Sequence, residues 1–315
     1  MKRVPRLSVG LPVYNGENFL AESIEALLGQ SHEDYELIIS DNASTDNTEE
    51  ICRKFAAQDS RIRYIRQRNN LGCAPNHNFV FDVSRGELFK WASHDDLYAR
   101  DLLRRCVEAL DEHPDVVAAH GWTAMIDSAG AVTRAIDYPL KTGSPHAPER
   151  FRSMLFANGG DDDGAVIRSQ VLRRIKPLNS YHHADRTFIT ELALHGPFHQ
   201  VPDWLYFRRD HPDRAERACP TVRKRCANLD PRRADPVRHP VARLFAEYIW
   251  AYASMIQRAP LTLEERRECY RDLRQWVVSR AKRRGSWGVV TDQPQAEVDL
   301  SAFSVVGVVP GQGAR

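Results

Sequence analysis

Apolar positions between Leu7 and Ile126 alternate between two spacings. Leu7 to Val13 is a short apolar run of the kind a buried strand shows, and Glu17 to Leu28 carries helical spacing through Phe19, Leu20, Ile24, Leu27 and Leu28. Tyr35 to Ser40 predicts a second strand. A helix then begins near Asp46, with Asp46 and Glu49 placed as a capping box and Ile51 and Phe55 facing inward. Ile62 to Ile65 reads as a third strand, Ala74 to Val83 as a helix, Glu87 to Ala92 as a fourth strand and Leu102 to Leu110 as a further helix. This alternation predicts an α/β fold with a mostly parallel, doubly wound sheet. Val116 to Ile126 is another strand, and Asp127-Ser128-Ala129-Gly130 is the turn of a hairpin.

After that turn the pattern loosens. A helix is expected near Glu149 to Phe156, a strand at Ala165 to Ile167, a helix from Asp185 to Leu194 and a last strand from Val201 to Arg208. The Pro- and Arg-rich segment Pro212 to Pro240 reads as a linker or extended arm. Two amphipathic helices follow, Val241 to Arg258 and Thr262 to Arg284, and Gly288 to Arg315 reads as a loosely packed extension.

Composition narrows the class. A chain of 315 residues, 42% hydrophobic and 27% charged, has the make-up of an ordinary globular protein. A net charge of +2 argues against a dedicated nucleic-acid binder. The charge is uneven, with 17 Lys/Arg against 8 Asp/Glu between Glu216 and Val290. The cysteines Cys52, Cys73, Cys106, Cys219, Cys226 and Cys269 show no C-x-x-C pair, and no secretory h-region opens the chain. A cytoplasmic protein with reduced thiols is expected, without a membrane span, since no apolar run approaches the ~20 residues a span needs.

The candidate chemistry lies where strands end, because open α/β sheets present ligands in a crevice at the carboxyl ends of their strands. The strand-like run Leu88-Phe89-Lys90-Trp91 leads into His94-Asp95-Asp96. Two adjacent carboxylates repel unless a cation, a donor network or solvent compensates them. Hard oxygen ligands suit Mg²⁺ or Mn²⁺, although Asp is also a good helix N-cap. The first strand runs into Pro12-Val13-Tyr14-Asn15-Gly16-Glu17-Asn18 and the second into Asp41-Asn42-Ala43-Ser44-Thr45-Asp46, so both face the same crevice.

Taken in order, Pro12 to Asn15, Ser40 to Asp46, Asn69-Asn70-Leu71-Gly72 and His94-Asp95-Asp96 resemble the signature of the family 2 glycosyltransferases. The resemblance implies the GT-A fold and a nucleotide-diphosphate sugar as donor. It makes residues 1–125 the donor-binding half and 126–215 the acceptor-binding half, while charge and spacing make 216–290 a basic helical extension and 291–315 a tail. It implies that Pro12, Tyr14, Asn15, Glu17, Asp41 and Asn70 hold the nucleoside. As an acceptor-only group, Asp41 suits the N3–H of uracil or thymine. Asp95 would lie at the ribose or metal shell and Asp96 would hold Mn²⁺ or Mg²⁺. His94 stands where the family's first acid usually is. Asp185, at the head of an apolar helix, occupies the slot of the catalytic base, with alanine at position 184 where a second acid is common. Arg208 or Arg209 would contact phosphate, and His211 would join the metal.

The expected activity is inverting transfer of a sugar, from UDP or dTDP, to a hydroxyl of a glycan, glycolipid or lipid-linked acceptor. The basic helices could lie on an anionic membrane at its inner face, pack on the catalytic domain, or form a homodimer. Two other functions stay open at this point. One is a nucleotide-sugar-binding partner protein without activity, motivated by His94 and Ala184. The other is a nucleotidyltransferase, which would be expected to carry a Gly-rich basic loop where this chain has Tyr14-Asn15-Gly16-Glu17. Asp161-Asp162-Asp163 is a further acidic run, read as a loop near the acceptor side.

Overall fold

The computed structural model describes residues 4–136, 138–157 and 164–282. Asp161 to Asp163 and the tail fall outside the described residues. The first half alternates as the apolar spacing predicts: β1 (Leu7–Val13), α1 (Leu20–Leu28), β2 (Tyr35–Asp41), α2 (Thr48–Gln58), β3 (Ile62–Arg66), α3 (Cys73–Asp82) and β4 (Leu88–Trp91). A two-residue strand, β5 (Leu97–Tyr98), precedes α4 (Leu102–Glu112), β6 (Ala118–Ile126) and β7 (Val132–Ile136). There follow α5 (Ala147–Phe156), β8 (Val166–Arg168), α6 (Ser169–Leu172), α7 (Ala184–His195) and β9 (Phe198–Arg209). The chain continues through α8 (Ala215–Ala218), α9 (Val222–Leu229), a 3₁₀ turn at Pro231–Ala234, α10 (Val241–Arg258) and α11 (Leu263–Lys282).

The strands form one sheet in the order β3-β2-β1-β4-β8-β6-β9-β5, with β7 paired to β6. The pairs β1–β2, β1–β4, β2–β3 and β6–β9 are parallel. The pairs β4–β8, β5–β9, β6–β7 and β6–β8 are antiparallel, so the parallel order holds across the first four strands and gives way to a mixed sheet beyond β4. The strand β8 inserts between β4 and β6, a long-range pairing that no local spacing encodes.

Helices cover both faces. One core joins α1, α2 and α4 to the sheet through Leu20, Ile24, Cys52, Leu102 and Leu110. The other joins α3, α6 and α7 through Val80, Leu172 and Leu192. With both faces covered, β1 and β2 are buried along nearly their whole length, which is why they read as unbroken apolar runs. Gly10 on β1 permits this closeness, since a Cβ there would come within 2.6 Å of Val80.

Two expectations change. The segment 212–240 is not an extended arm: it contains α8, α9 and the 3₁₀ turn. Thr221 caps α9 by accepting from the Lys224 amide (3.2 Å), and Cys226 is fully buried. The arginines that suggested a solvated linker are engaged, Arg233 with Glu247 and Arg232 with Asp230. The capping box at Asp46 and Glu49 is also replaced. Asp46 accepts from the amides of Glu17 (3.0 Å) and Thr48 (3.1 Å), while Glu49 pairs with Arg53 and Arg66.

The helices α10 and α11 direct their apolar faces inward. Tyr248, Tyr252, Met255, Ile256, Leu273 and Trp276 pack against Phe151 and Leu155 of α5 and Leu194 of α7. Arg258 binds the buried Glu191 of α7 through both carboxylate oxygens (2.9 Å each). Among the described residues no helix is long and apolar enough to cross a membrane.

A candidate active site at the carboxyl edge of the sheet

Parallel pairing brings the ends of β1, β2 and β4 to one edge. There the loops after β1 and β2 bind each other more than they bind themselves. The Asn15 amide donates to Ser44 Oγ (2.9 Å), and Asn15 Oδ1 accepts from the Thr45 amide (2.9 Å). The Gly16 amide donates to Thr48 Oγ1 (2.9 Å), and Glu17 accepts from Asn47 through its amide (3.0 Å) and side chain (2.7 Å). Asn15 and Ala43 both stand in the left-handed region, at φ 51° and 63°. Such strain in non-glycine residues persists only where surrounding bonds over-determine the loop. Tyr14 is 44% exposed at the rim, with Pro12 half-buried below it.

Asp41 ends β2 and is fully buried. Its Oδ1 accepts from the Ser44 amide (2.8 Å), and its Oδ2 accepts from the Tyr64 hydroxyl (2.8 Å) and Arg66 Nη1 (3.0 Å). Burial and then the bond to Asp41 push the Tyr64 hydroxyl up. Both oxygens of this carboxylate are thus engaged, and Arg66 remains one-third exposed. Arg66 escaped the sequence reading, although the register of β3 sets it beside Asp41. The next loop is pinned by Asn42, which donates to Asn70 Oδ1 (3.0 Å) and the Gly72 carbonyl (3.1 Å) and accepts from the Leu71 amide (2.8 Å). Asn70 itself is exposed at the rim.

At the end of β4 the two acids have different surroundings. Asp96 is fully buried, and its oxygens accept from the Tyr206 hydroxyl and the Arg209 amide (2.8 Å), with Arg214 Nη1 at 3.7 Å. Asp95 keeps 13% of its side chain exposed and binds His211 Nε2 at 2.9 Å. Burial, reinforced by the charge on Asp95, pushes Asp96 up. Burial works against Asp95 too, but the His94 charge, the His211 bond and Arg214 outweigh it and hold Asp95 down. The pair is thereby split into an ionised outer acid and an inner acid committed to the β9 backbone. His94 has a packing role: its ring lies where a Cβ on Gly16 would sit (2.6 Å), locking the β1 loop against the β4 loop.

Arg209, which shared the phosphate role with Arg208, is fully buried. It donates to the Asp95 carbonyl (2.8 Å), the Ser128 carbonyl (2.9 Å) and Glu22 (2.7 Å), with Phe19 beneath it. Arg209 is therefore a fastener for the acidic loop. Arg208, half-buried, alternates to the opposite side of β9. Arg214, three residues after His211, is the cation acting on both acids, and the sequence reading passed over it.

For a divalent ion, Asp95 and His211 supply one carboxylate and one imidazole. His211 Nδ1 is buried with no hydrogen-bond partner among the described residues. Nε2 donates to the Asp95 carboxylate, and Nδ1 lies on the far side of the ring from it. No group of three His, Cys, Asp or Glu side chains converges among the described residues. Asp95 and His211 would share one ion only through Nε2, in place of its bond to the carboxylate, with phosphate oxygens and water filling the remaining positions. Mn²⁺ tolerates the nitrogen donor better than Mg²⁺ does.

The helix α7 brings the remaining candidate. Phe188 packs edge-on against Trp91 at 5.5 Å, so the first turns of α7 stand beside the end of β4. Asp185, one turn earlier, is exposed. The turn before it is held from three sides. Asn78 of α3 exchanges two hydrogen bonds with Leu178 (2.8 and 2.9 Å), Arg233 donates to Ser180 Oγ (3.0 Å), and the His182 ring meets Phe245 of α10 at 4.7 Å. The same extension reaches the donor side. Gly72, at φ 94°, lies so close to the α9 end that a Cβ would come within 2.5 Å of the Leu229 carbonyl.

Comparison with known proteins gives this geometry its class. The sequence model for glycosyl transferase family 2 matches residues 8–180, and the chain belongs to that family. It is 34% identical over 106 residues to the glycosyltransferase GlyG of Streptococcus pneumoniae, covering 34% of this chain and 35% of GlyG. It is 32% identical over 154 residues to an uncharacterized glycosyltransferase of Rickettsia typhi, RT0329, covering 48% of this chain and 46% of that protein. The chain thus spans between about a third and a half of these relatives. Among solved structures, residues 1–349 of S. aureus TarS with UDP-GlcNAc superpose with a TM-score of 0.54 at 16% identity, covering 93% of this chain and 99% of that one. The mannosyltransferase PcManGT of Pyrobaculum calidifontis, with GDP-Man and Mn²⁺, superposes with a TM-score of 0.51 at 21% identity, covering 89% and 85%. The fold is therefore GT-A.

Proposed function

We propose that this chain is an inverting glycosyltransferase that moves a sugar from UDP or dTDP to a hydroxyl of a glycan, glycolipid or lipid-linked acceptor. The reading is supported by one arrangement: the Asp95–His211 pair follows the end of β4, and Phe188, one turn after the exposed Asp185, packs on Trp91 at that same strand end. Tyr14 walls the base, and Asn15 and Glu17 hold the wall in place. Asp41 faces the base N3–H once Arg66 moves. Asn70 borders the nucleoside, and Arg208 is assigned to the donor side.

The burial of Asp96 shifts the metal role to Asp95 with His211, and leaves Asp96 to fix β9 against the acidic loop. When bound there, the ion would neutralise charge growing on the departing diphosphate. Asp185 takes the proton from the acceptor hydroxyl, whose oxygen attacks the anomeric carbon opposite the nucleotide. The bond to the diphosphate oxygen breaks as the new glycosidic bond forms, and the anomeric configuration inverts.

UDP- and dTDP-sugars should raise the melting temperature in the presence of Mn²⁺. Asp185→Asn should keep that shift while turnover falls about a thousandfold, within the range for loss of a general base. Unchanged turnover in Asp185→Asn removes the base assignment. The binding-partner alternative would be sustained by donor binding without turnover in the unaltered chain.

A further inference from the structure

The helices α10 and α11 bury one face against α5 and α7 and leave the other to solvent. On α10 the inward positions Leu244, Tyr248, Tyr252, Met255 and Ile256 recur at helical spacing. The opposite side carries Trp250, with Ser254 and Gln257 one and two turns on, and Trp250 is 72% exposed. On α11 the inward positions are Cys269, Leu273 and Trp276, and the outward stripe is Arg267, Arg271, Arg274 and Val278, all exposed.

Precise contacts set the two stripes side by side. Gln257 Nε2 donates to the Tyr270 hydroxyl (2.7 Å), and that hydroxyl donates to the Ala253 carbonyl (3.0 Å). Arg266, one turn before Tyr270, reaches the Ile256 carbonyl (3.3 Å), one turn after Ala253, so the helices run antiparallel. One turn back from Ala253 is Trp250, and one turn on from Tyr270 is Arg274. Indole and guanidinium therefore stand at the same level of the pair, with Arg267 level with Gln257.

Among the described residues Arg267, Arg271 and Arg274 make no hydrogen bond or ion pair. The cations at the sides of the same pair do: Arg258 holds Glu191, Arg243 holds Glu247, and Arg152 of α5 holds Asp272. Glu264, in the first turn, is the one exposed carboxylate of α11. An occupant of this face must bring anionic groups and apolar room together. A second copy docking through the same face would set arginine against arginine. A nucleic acid would meet the arginines and leave Val278 without apolar contact. An anionic bilayer supplies both, with lipid phosphates for the guanidinium groups and the acyl boundary for the indole and the valine.

We propose that the outer face of α10 and α11, through Trp250, Arg267, Arg271, Arg274 and Val278, docks the chain on the surface of an anionic lipid bilayer. The contact is independent of the transferase reading, because it uses none of the residues assigned to donor, metal or base. Neither helix is long and apolar enough to cross a membrane, so the pair lies on the surface.

The test is co-sedimentation of the full chain, without nucleotide, with vesicles of phosphatidylcholine alone and of an equimolar mixture of phosphatidylcholine and phosphatidylglycerol, at low and high salt. Binding should be confined to the mixed vesicles and should weaken with salt. Combining Arg267→Gln, Arg271→Gln and Arg274→Gln should lower the partition coefficient about a hundredfold, the product of three basic residues near an anionic surface. Trp250→Ala should lower it about tenfold. Both variants should keep the parent's urea midpoint, because the replaced side chains are exposed. The corresponding triple change to Lys, which keeps the charge, should bind nearly as the parent does. The proposal is overturned if the parent sediments equally with both vesicle types or with neither, or if the folded variants bind as the parent does. It is also overturned if the chain is a dimer in solution that Trp250→Ala dissociates. A chain that binds UDP and no vesicle fails here alone, and one that binds vesicles and no UDP counts against the transferase reading instead.

Discussion

The proposed donor edge and the turn before Asp185, the proposed base, are built in opposite ways. At the donor edge, Asn15, Gly16 and Glu17 bond to Ser44, Thr45, Asp46, Asn47 and Thr48, so two short loops carry both the signature residues and the bonds that shape them. The turn before Asp185 is shaped by remote groups: Asn78 on α3, Arg233 after α9 and Phe245 on α10. A site of the first kind can be recognised from a few adjacent residues, whereas one of the second kind depends on a scaffold that arrives far later in the chain. The α9–α11 segment also touches the donor side at Gly72, so it ties the two edges together.

The most severe break should come from Asp96→Ala. It leaves the Tyr206 hydroxyl, the Arg209 amide and the nearby Arg214 charge without their buried acceptor, at a cost of about 3–5 kcal/mol. Urea unfolding should show the loss, while Asp95→Ala should unfold near the parent's midpoint yet weaken the Mn²⁺-dependent response. Equal stability in the two variants would contradict the division into inner and outer acid.

Gly72→Ala comes next. The substitution forces a side chain into the left-handed region and against the Leu229 carbonyl, costing about 2–3 kcal/mol. Because Asn42 binds the same loop, UDP affinity should fall with stability. A variant that lost stability alone would mean that the extension supports the fold without coupling the two edges.

The smallest effect compares two half-buried histidines, His77 against Trp91 and His183 against Tyr248. Burial pushes His77, stacked on Trp91, down to about 3, and His183 is held equally low. Below pH 6.5 the unfolded chain binds protons that these native imidazoles refuse, so stability is present above that pH and falls as the pH drops toward 3. Between pH 7.5 and 5.5 each histidine should remove about 1 kcal/mol, and urea midpoints of His77→Phe and His183→Asn should each recover part of the slope. An unchanged slope in both variants would show that neither histidine governs it.

Much of this was legible beforehand. β1 and α10 have the bounds their apolar spacing predicts, because a strand buried on both faces and a helix buried on one impose different periods on the sequence. The order of the polar loops also pointed to family 2. Less legible was which of two adjacent acids is buried. Asp95 and Asp96 are interchangeable in composition, and the difference arises from Tyr206 and the Arg209 amide, more than a hundred residues away. Arg209 and Arg208 were likewise indistinguishable until the alternation of β9 set one against the acidic loop. The arm from 212 to 240 was misread because arginines that pair with Asp230 and Glu247 look, in one dimension, like a solvated linker.

The sequence by itself determined the α/β order of the first half and which polar loops gather at the carboxyl edge of the sheet, since these follow from local spacing and from the direction of parallel strands. Only the tertiary structure decided which offered groups remain accessible, how β8 and β9 complete the sheet, and what holds Asp185 in place. Burial and hydrogen bonding are set by neighbours in space, and for this site those neighbours lie on β9, α3 and the α9–α10 extension.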